Sequence, residues 1–339
     1  MTLNDVWFLL FILIIAGYLI LDGFDMGVGI LLLPLARTDT ERRIFLNSIG
    51  PIWDGNEVWL VIGGGVLFAV FPLVYASLFS GLYLAFALVL LVLILRTVSL
   101  EFRSKENGAR WRSTWDVVFA VASIGLALLL GVAFGNLLEG LPIDANGDMT
   151  TSLIALLTPF AVLVGITTIA MFAVQGGIYL LIKTEGELHA RIERAVPRLL
   201  VTFFVLNTLV VVALVLFHDQ VTKRYVDDIW PVIFPAGALA ALIAAWVYIR
   251  RGEAFRAFIA SSAMIALLLI SGGIGLYPNL IISTIDPAYS LTIFNAASAD
   301  NTLVICLIFA IIGIPFILAY TTGVYYIFRG KTVVDSHGY

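Results

Sequence analysis

The stretch LILDGFDMGVGILLL, residues 19–33, places two carboxylates in a run that otherwise has the composition of a transmembrane helix. The apolar run extends from residue 6 to residue 35, longer than the roughly 20 residues that a helix needs to cross the hydrocarbon core. Asp22 and Asp25 are three residues apart and therefore lie on one face of the helix. The glycines among them let a neighbouring backbone come close. We expect this face to be covered by protein.

The composition of the whole chain indicates an integral membrane protein. Its 339 residues are 61% hydrophobic and only 12% charged, whereas about 25% of the residues are charged in an ordinary soluble domain. The mean hydropathy is +1.05. Because the apolar runs recur at the length of a membrane-spanning helix, helices rather than a β-barrel are expected. We therefore predict an all-α integral membrane protein.

The apolar runs predict nine transmembrane helices. Spans two and three are divided only by Phe71-Pro72, where a proline can end one helix and begin the next. The predicted spans cover residues 6–35, 56–72, 74–95, 115–138, 154–182, 199–217, 231–249, 255–276 and 302–328.

The distribution of Lys and Arg predicts the orientation of these helices, because cytoplasmic segments carry an excess of both. The segments after spans one, three, five and seven, together with the C-terminus, contain 17 of the 19 basic residues. The other two, Lys223 and Arg224, are outnumbered by nearby aspartates. The N-terminus is therefore predicted outside and the C-terminus in the cytoplasm.

Short connections favour two four-helix bundles, because helices joined by short loops tend to pack antiparallel. We predict a first bundle over residues 1–138, a second over 139–276, and a ninth helix with a cytoplasmic tail over 277–339. All three belong to one polytopic membrane domain. A weak similarity between TDTERR (38–43) and TEGELHARIER (184–194) is consistent with an internal duplication.

Asp22 and Asp25 have two interpretations. A rise of about 1.5 Å per residue places them in the cytoplasmic third of the first helix. An ionised carboxylate there is costly unless it is paired or hydrated. One interpretation is that the long first span protrudes and both acids reach the inner headgroups. The other is a proton-conducting or ion-binding site open to the cytoplasm.

A second acidic cluster, PIWDGNEVW at residues 51–59, opens the second span from the same side. Asp54 and Glu57 follow Pro51 as at a helix start, where exposed amides and the positive end of the dipole favour a carboxylate. Capping explains one of these acids better than the pair. Asn56 adds a polar group able to hold water among aromatic residues.

Arg96 is the third polar element. It ends the run LVLILR at the predicted end of span three, and so returns to the cytoplasmic side near both acidic clusters. It is either an anchor that snorkels to the membrane surface or an electrostatic partner of the acids.

Ligands for a cofactor are sparse in this chain. His189 falls in a cytoplasmic connection, His218 at the outer end of span six, and His337 in the tail. Haem b needs an axial ligand, usually histidine or methionine, and no inward-facing histidine pair is expected. The single cysteine, Cys306, excludes an intramolecular disulfide and a thiolate metal cluster. We predict no metal site in this chain.

Other classes of protein would use the same acids. An ion-coupled transporter or proton-channel subunit would show helices broken near the midplane of corresponding halves, and the glycines at 63–65 and 271–273 mark candidate breaks. A scaffold that shields the cofactors of a partner would use its acids only for capping.

Several motifs, taken in order, resemble subunit II of the cytochrome bd-type quinol oxidases. The order of the motifs makes the resemblance more specific than any one of them. They are GYLILDGFDMGVG (17–29), TERR (40–43) with NSIGPIWDGNEVW (47–59), RSK (103–105) with RWR and WD (110–116), GVAFGNLLEG (131–140), GELHAR (186–191), and SLT with AAS (290–298).

This resemblance implies a membrane oxidase that takes electrons from quinol, reduces dioxygen to water and builds a protonmotive force. It implies that haem b and haem d are held by subunit I, the heterodimeric partner, and not by this chain, which would be inactive alone. The expected location is the plasma membrane of a bacterium or archaeon, in contact with lipids and quinone. A small single-helix subunit would be a further partner, and no nucleic acid is expected.

The resemblance also assigns residues to a proton path. Asp25 and Asp54 match family positions proposed to feed protons from the cytoplasm toward the haems, and Asp22 lies in the same motif. Arg96 matches a family arginine at the end of span three. Glu57 belongs to the same path, although the corresponding position can be a neutral amide in relatives.

Overall fold

The structure is a computed structural model that describes residues 2–149 and 151–332. Within these ranges the chain forms twelve α-helices and one small antiparallel sheet of strands β1 (Asn279–Ile281) and β2 (Leu291–Thr292). The helices are α1 (Leu3–Leu35), α2 (Asp39–Ile49), α3 (Trp53–Val70), α4 (Pro72–Gly81), α5 (Tyr83–Arg103), α6 (Ala109–Glu139), α7 (Pro159–Lys183), α8 (Gly186–Phe217), α9 (Asp219–Asp227), α10 (Ile233–Arg250), α11 (Ala254–Leu276) and α12 (Asp300–Ile327).

The predicted all-α class with membrane-type helices is confirmed. In the part of the chain that the structure describes, eight helices are long and apolar enough to cross a membrane. The pair α3 and α4 adds a ninth candidate if it is counted as one broken span, with a bend of 118° between the two helices.

The third predicted span begins and ends too early. Pro72 begins a new helix, as expected of a residue with a fixed φ and no N–H, but that helix is the short α4, which turns away from the axis of α3. The long helix is α5, which continues through Ser99 to Arg103 because both of these side chains are buried and hydrogen-bonded. Arg96 therefore lies inside α5 and not at its end.

Three further stretches of helix lie in polar segments that the sequence analysis treated as connections. Helix α2 occupies the connection after α1 and starts at a capping box of Thr38 and Glu41. Helix α8 begins at Gly186, inside the predicted cytoplasmic connection. Helix α9 lies in the connection after α8. A hydropathy pattern does not detect such segments, because they are amphipathic or charged rather than uniformly apolar.

Helix α1 lies at the centre of the molecule and packs against α3, α6, α7 and α11. The closest approach is between α1 and α7. A methyl group on Gly27 would collide with the backbone carbonyl of Phe172, and one on Gly176 would collide with the backbone of Gly27. The predicted glycine-mediated contact of the first helix is confirmed.

The candidate helix breaks at glycine are wrong. Helix α3 runs without interruption through residues 63–65, and α11 runs through residues 271–273. Glycine lacks a side chain but retains its amide, so it does not interrupt the hydrogen bonds of a helix as proline does.

Candidate functional site

Three helices bring four of the five predicted site residues together. Helix α1 carries Asp22 and Asp25, both completely buried, and α5 carries Arg96, which is 1% exposed. The Arg96 Nη2 atom lies 2.5 Å from Asp22 Oδ1 and 4.0 Å from Asp25 Oδ2. The Arg96 Nη1 atom donates to Glu57 Oε1 of α3 over 3.1 Å. We call Asp22, Asp25, Glu57 and Arg96 the acid cluster.

The burial of these groups decides between the interpretations of the sequence. Asp22 and Asp25 are buried within the chain, so the interpretation in which both acids reach the inner headgroups is wrong. Arg96 is enclosed by protein and ion-paired, so it is not a snorkelling anchor. Only Glu57 reaches the surface of the chain, with 22% of its side chain exposed.

Asn56 links the acid cluster to the last helix. Its Nδ2 group donates to Asp25 Oδ2 over 2.7 Å. Its Oδ1 atom accepts a hydrogen bond of 2.9 Å from the hydroxyl of Tyr325 on α12. Asn56 is 1% exposed, and it thereby connects α3 to both α1 and α12.

The acid cluster retains polar atoms that its neighbours do not satisfy. Within the described residues, the buried atoms Asp22 Oδ2, Asp25 Oδ1 and Arg96 Nε have no hydrogen-bond partner, and neither does the nearby hydroxyl of Tyr18. A buried polar group normally has a partner, so the cluster has the capacity to bind water or an additional proton.

Asp54 is placed differently from the other four predicted residues. It lies in the first turn of α3, exposed to the surroundings of the chain. Among the residues that the structure covers, no hydrogen bond or ion pair of its carboxylate is found. The N-cap position, Ile52, provides no side-chain cap. Asp54 therefore remains close to the positive end of the helix dipole with a free side chain.

A second ion network, centred on the buried pair Arg103 and Asp116, was not predicted from the sequence. Arg103, 1% exposed, donates from Nε to Asp116 Oδ1 over 2.5 Å and from Nη2 to Asp39 Oδ1 over 2.7 Å. Arg42 and Arg112 complete the group, at 3.0 Å from Asp116 and Asp39 respectively. This arginine–aspartate network joins α2, α5 and α6. The sequence signal was the motif pair RSK and WD, which indicated the orientation and the family resemblance but was not interpreted as an ion pair.

Outside the membrane-spanning helices, ion pairing lowers the pKa values of two carboxyl groups of α2. Partial burial opposes ionisation of Asp39, but the hydrogen bond and charge of Arg103, with Arg112 and Arg43, outweigh burial and lower its pKa. Burial likewise opposes ionisation of Glu41, and its pKa is lowered by Arg191 and by backbone amides at the start of α2. Both acids therefore favour the charged form that holds the helix ends together.

The two described histidines are too far apart to ligate one haem as a pair. His189 lies in the first turn of α8, whereas His218 follows the last residue of the same helix and packs against Phe160. The two imidazoles are thus at opposite ends of one long helix. His337 lies outside the described residues. In the described part of the chain, no group of three or more His, Cys, Asp or Glu residues is arranged to hold a metal ion.

The chain is similar to known proteins along almost its whole length. It is 37% identical to the cytochrome bd-I ubiquinol oxidase subunit 2 of Escherichia coli (strain K12), covering 99% of this chain and 96% of that protein. It is 34% identical to the cytochrome bd ubiquinol oxidase subunit 2 of Bacillus subtilis (strain 168), covering 97% of both.

The fold is shared with a solved structure. A chain in the structure of the bd oxidase from Geobacillus thermodenitrificans superposes with a TM-score of 0.80 at 15% identity, covering 97% of this chain and 99% of that one. The family model described as cytochrome bd terminal oxidase subunit II matches residues 3–328. This match, together with relatives above 30% identity over nearly the full length, shows that the chain belongs to the cytochrome bd terminal oxidase subunit II family.

Proposed function

We propose that this chain is the subunit of a quinol oxidase that helps to deliver cytoplasmic protons to the site where dioxygen is reduced to water. Family membership supports the oxidase complex, and two of its relatives are named as subunits of ubiquinol oxidases. The observation that carries the proton role is the acid cluster, in which three carboxyl groups surround one buried guanidinium.

The charges of the acid cluster favour an exchangeable proton. With every group ionised, three carboxylates would face one arginine, and a net negative charge would be buried beside α1. Uncompensated charge is expensive inside a membrane protein. A bound proton reduces the imbalance, and its loss or gain changes the cluster by one charge. Such a site accepts a proton from one side and passes it on to the other.

The exposed carboxylates define an order for this path. Asp54 is exposed at the start of α3, Glu57 is partly exposed one turn further, and Asp22 and Asp25 are buried. In our proposal Asp54 and Glu57 collect protons and the aspartates of α1 hold them. Arg96 acts as the fixed countercharge, because its guanidinium keeps its own proton throughout.

We assign the cofactors to the partner. In this proposal haem b and haem d are ligated by subunit I, which also oxidises the quinol, and together they supply the redox chemistry. The two described histidines at opposite ends of α8 support this division. This chain covers one side of the haem subunit and contributes the acid cluster. A small single-helix subunit, lipids and quinone are further predicted neighbours.

The proposed orientation puts the acid cluster near the cytoplasm. We retain nine spans in a bacterial plasma membrane, with the N-terminus outside and the C-terminus inside, counting α3 with α4 as one broken span. The alternation of the basic residues supports this orientation. The two-bundle division at residues 138 and 276 is likewise retained, with the two halves meeting where α1 and α6 pack against α7.

Conservative amide substitutions test the proton role. In the purified complex, Asp25→Asn and Glu57→Gln should preserve haem content and slow oxygen consumption, by about 100-fold where proton transfer becomes rate-limiting. Asp300→Asn is the matched control for Asp25→Asn, because Asp300 begins α12 and lies at the end of that helix away from Tyr325 and the acid cluster. Normal turnover in both assembled variants would refute the proton role. Loss of haem together with activity would indicate a structural role instead.

A further inference from the structure

A small cavity lies beside the acid cluster, between the start of α3 and the C-terminal part of α12. Its volume is about 20 Å³, which is enough for about one water molecule. Helix α12 forms one wall and the first turn of α3 forms the other. The lining residues are Pro51, Ile52, Gly55, Asn56, Tyr320, Thr321, Val324 and Tyr325.

The cavity touches the hydrogen-bonded link that ends on Asp25. Asn56 and Tyr325 both line it. The hydroxyl of Tyr325 donates to Asn56 over 2.9 Å, and Asn56 donates to Asp25 over 2.7 Å. Asn56 therefore contacts both the cavity and the carboxylate. Polar groups on the wall are what a water molecule needs in order to be held there.

The same cavity reaches the surface of the chain. Pro51, two residues before α3, is exposed, and 66% of Tyr320 on the α12 wall is exposed. Glu57 does not line this cavity, and its carboxylate points to Arg96 instead. The cavity thus ends at Asn56, one hydrogen bond away from Asp25, and on a different side of the acid cluster from the exposed edge of Glu57.

We propose that this cavity is a second water inlet to the acid cluster and that Tyr325 is the positioning residue that holds Asn56 against Asp25. The inference rests on the proposed proton role. Because Asn56 lies between the cavity and Asp25, the proton passes through its amide. A hydrated proton gives up its O–H bond and binds Asn56 Oδ1, while an Nδ2–H bond breaks and its proton forms the new O–H bond on Asp25. A neutral water molecule remains, and the amide is restored when Oδ1 returns its proton to the inlet water and the nitrogen takes one back. No oxidant or reductant takes part in this transfer.

Filling the cavity tests the inlet. A methyl group on Gly55 would meet its nearest atom, a ring carbon of Tyr320, at 3.8 Å, which is an ordinary contact. The larger side chain of Gly55→Leu extends into the cavity. In the purified complex with subunit I, we expect normal haem content and a turnover with a soluble quinol reduced by about tenfold. Gly64→Leu, the same change on α3 where a methyl group would meet nothing within 4 Å, should not reduce turnover.

Removing one hydroxyl tests the positioning role. Tyr325→Phe removes the hydrogen bond from the Tyr325 hydroxyl to Asn56. The pH profile of turnover should move to lower pH, because a poorly positioned Asn56 needs a higher proton concentration in solution to take up a proton. Tyr326→Phe, on an exposed neighbouring ring, is the matched control. If Gly55→Leu does not assemble, the pH profile of Tyr325→Phe decides the question.

Three outcomes separate this inference from the proposed function. Slow turnover in Asp25→Asn and Gly55→Leu, with the pH profile of Tyr325→Phe moved to lower pH, supports both. Slow turnover in Asp25→Asn with normal rates and an unchanged pH profile in the other two overturns the inlet and leaves the proton role standing. Normal turnover in Asp25→Asn overturns the proton role, and the inlet fails with it.

Discussion

At the scale of single residues, Arg96 is the group on which the acid cluster depends. It pairs with Asp22 and Glu57 and lies 4.0 Å from Asp25. Removing one partner of a buried ion pair typically costs roughly 3–5 kcal/mol, because the other charges remain buried without compensation. We therefore expect Arg96→Gln to lower strongly the yield and the thermal midpoint of the assembled complex.

A second substitution distinguishes charge from shape at this position. Asp22→Asn in the Arg96→Gln background removes one of the stranded carboxylates and should recover part of the lost thermal stability. Arg110→Gln, on an exposed side chain in the first turn of α6, is the control for loss of one arginine. A double variant no more stable than Arg96→Gln alone would contradict the charge explanation.

The sequence predicted individual site residues better than their partners. Asp22 and Asp25 stand out because carboxylates are rare in apolar runs, and their burial follows from the flanking glycines. The pairing of Glu57 with Arg96 depends on where α5 ends, and hydropathy placed that end too early. Tyr325 lies 269 residues from Asn56 in the chain, and no local pattern indicates their contact.

At the scale of elements, the contact between α1 and α7 limits what Gly27 can be. We expect Gly27→Ala to force these helices apart, because the added methyl group overlaps the backbone of α7, at a cost of about 1–3 kcal/mol for overpacking. The thermal midpoint of the purified complex measures this effect. Gly64→Ala, where a methyl group meets nothing within 4 Å, should leave the midpoint unchanged. Equal midpoints for the two variants would contradict the close contact.

The start of α2 should make the complex sensitive to acid. The pKa values of Asp39 and Glu41 are lowered below their ordinary values of 3.8 and 4.5. At pH values between the lowered and the ordinary pKa values, the unfolded chain therefore binds more protons than the folded chain. The stability that these acids contribute is fully present above their ordinary pKa values. It is lost as the pH falls through their lowered pKa values.

Neutral variants isolate this contribution. Asp39→Asn and Glu41→Gln should lower the thermal midpoint at pH 7 and weaken its fall between about pH 5 and pH 3. Thermal unfolding followed by tryptophan fluorescence measures both effects. Glu106→Gln, in the exposed connection between α5 and α6, is the control. An acid-induced fall of the same size in both variants and the wild type would contradict a role for these two carboxylates.

The sequence predicted which segments are helices, but it did not predict the angles between consecutive helices. Long apolar runs identified the membrane helices, and Phe71-Pro72 identified a true break. Hydropathy does not report the angle at a break, so the 118° turn into α4 was not foreseen. It also treats amphipathic segments as connections, which is why α2 and the start of α8 were missed.

At the scale of the whole molecule, burial is distributed unevenly among the helices. In the most apolar window of α7, 67% of the residues are buried within the chain, compared with 6% in α12. The molecule therefore has a packed centre, which contains the acid cluster, and long apolar faces that need lipid or a partner. Because α3 and α11 run through the glycines at 63–65 and 271–273 without a break, these two positions do not provide the paired broken helices expected of a transporter.

The proposed division of labour with subunit I leads to a final prediction. Haem iron requires an axial side-chain ligand, and the described histidines lie at opposite ends of α8. Replacing His189, His218 and His337 together by alanine should leave all haems of the purified complex in place, as measured by its pyridine haemochrome and optical spectrum. Because ligand loss would remove or shift a specific absorption band, the absence of one haem in the assembled triple variant would place an axial ligand on this chain and contradict the assignment of every haem to the partner.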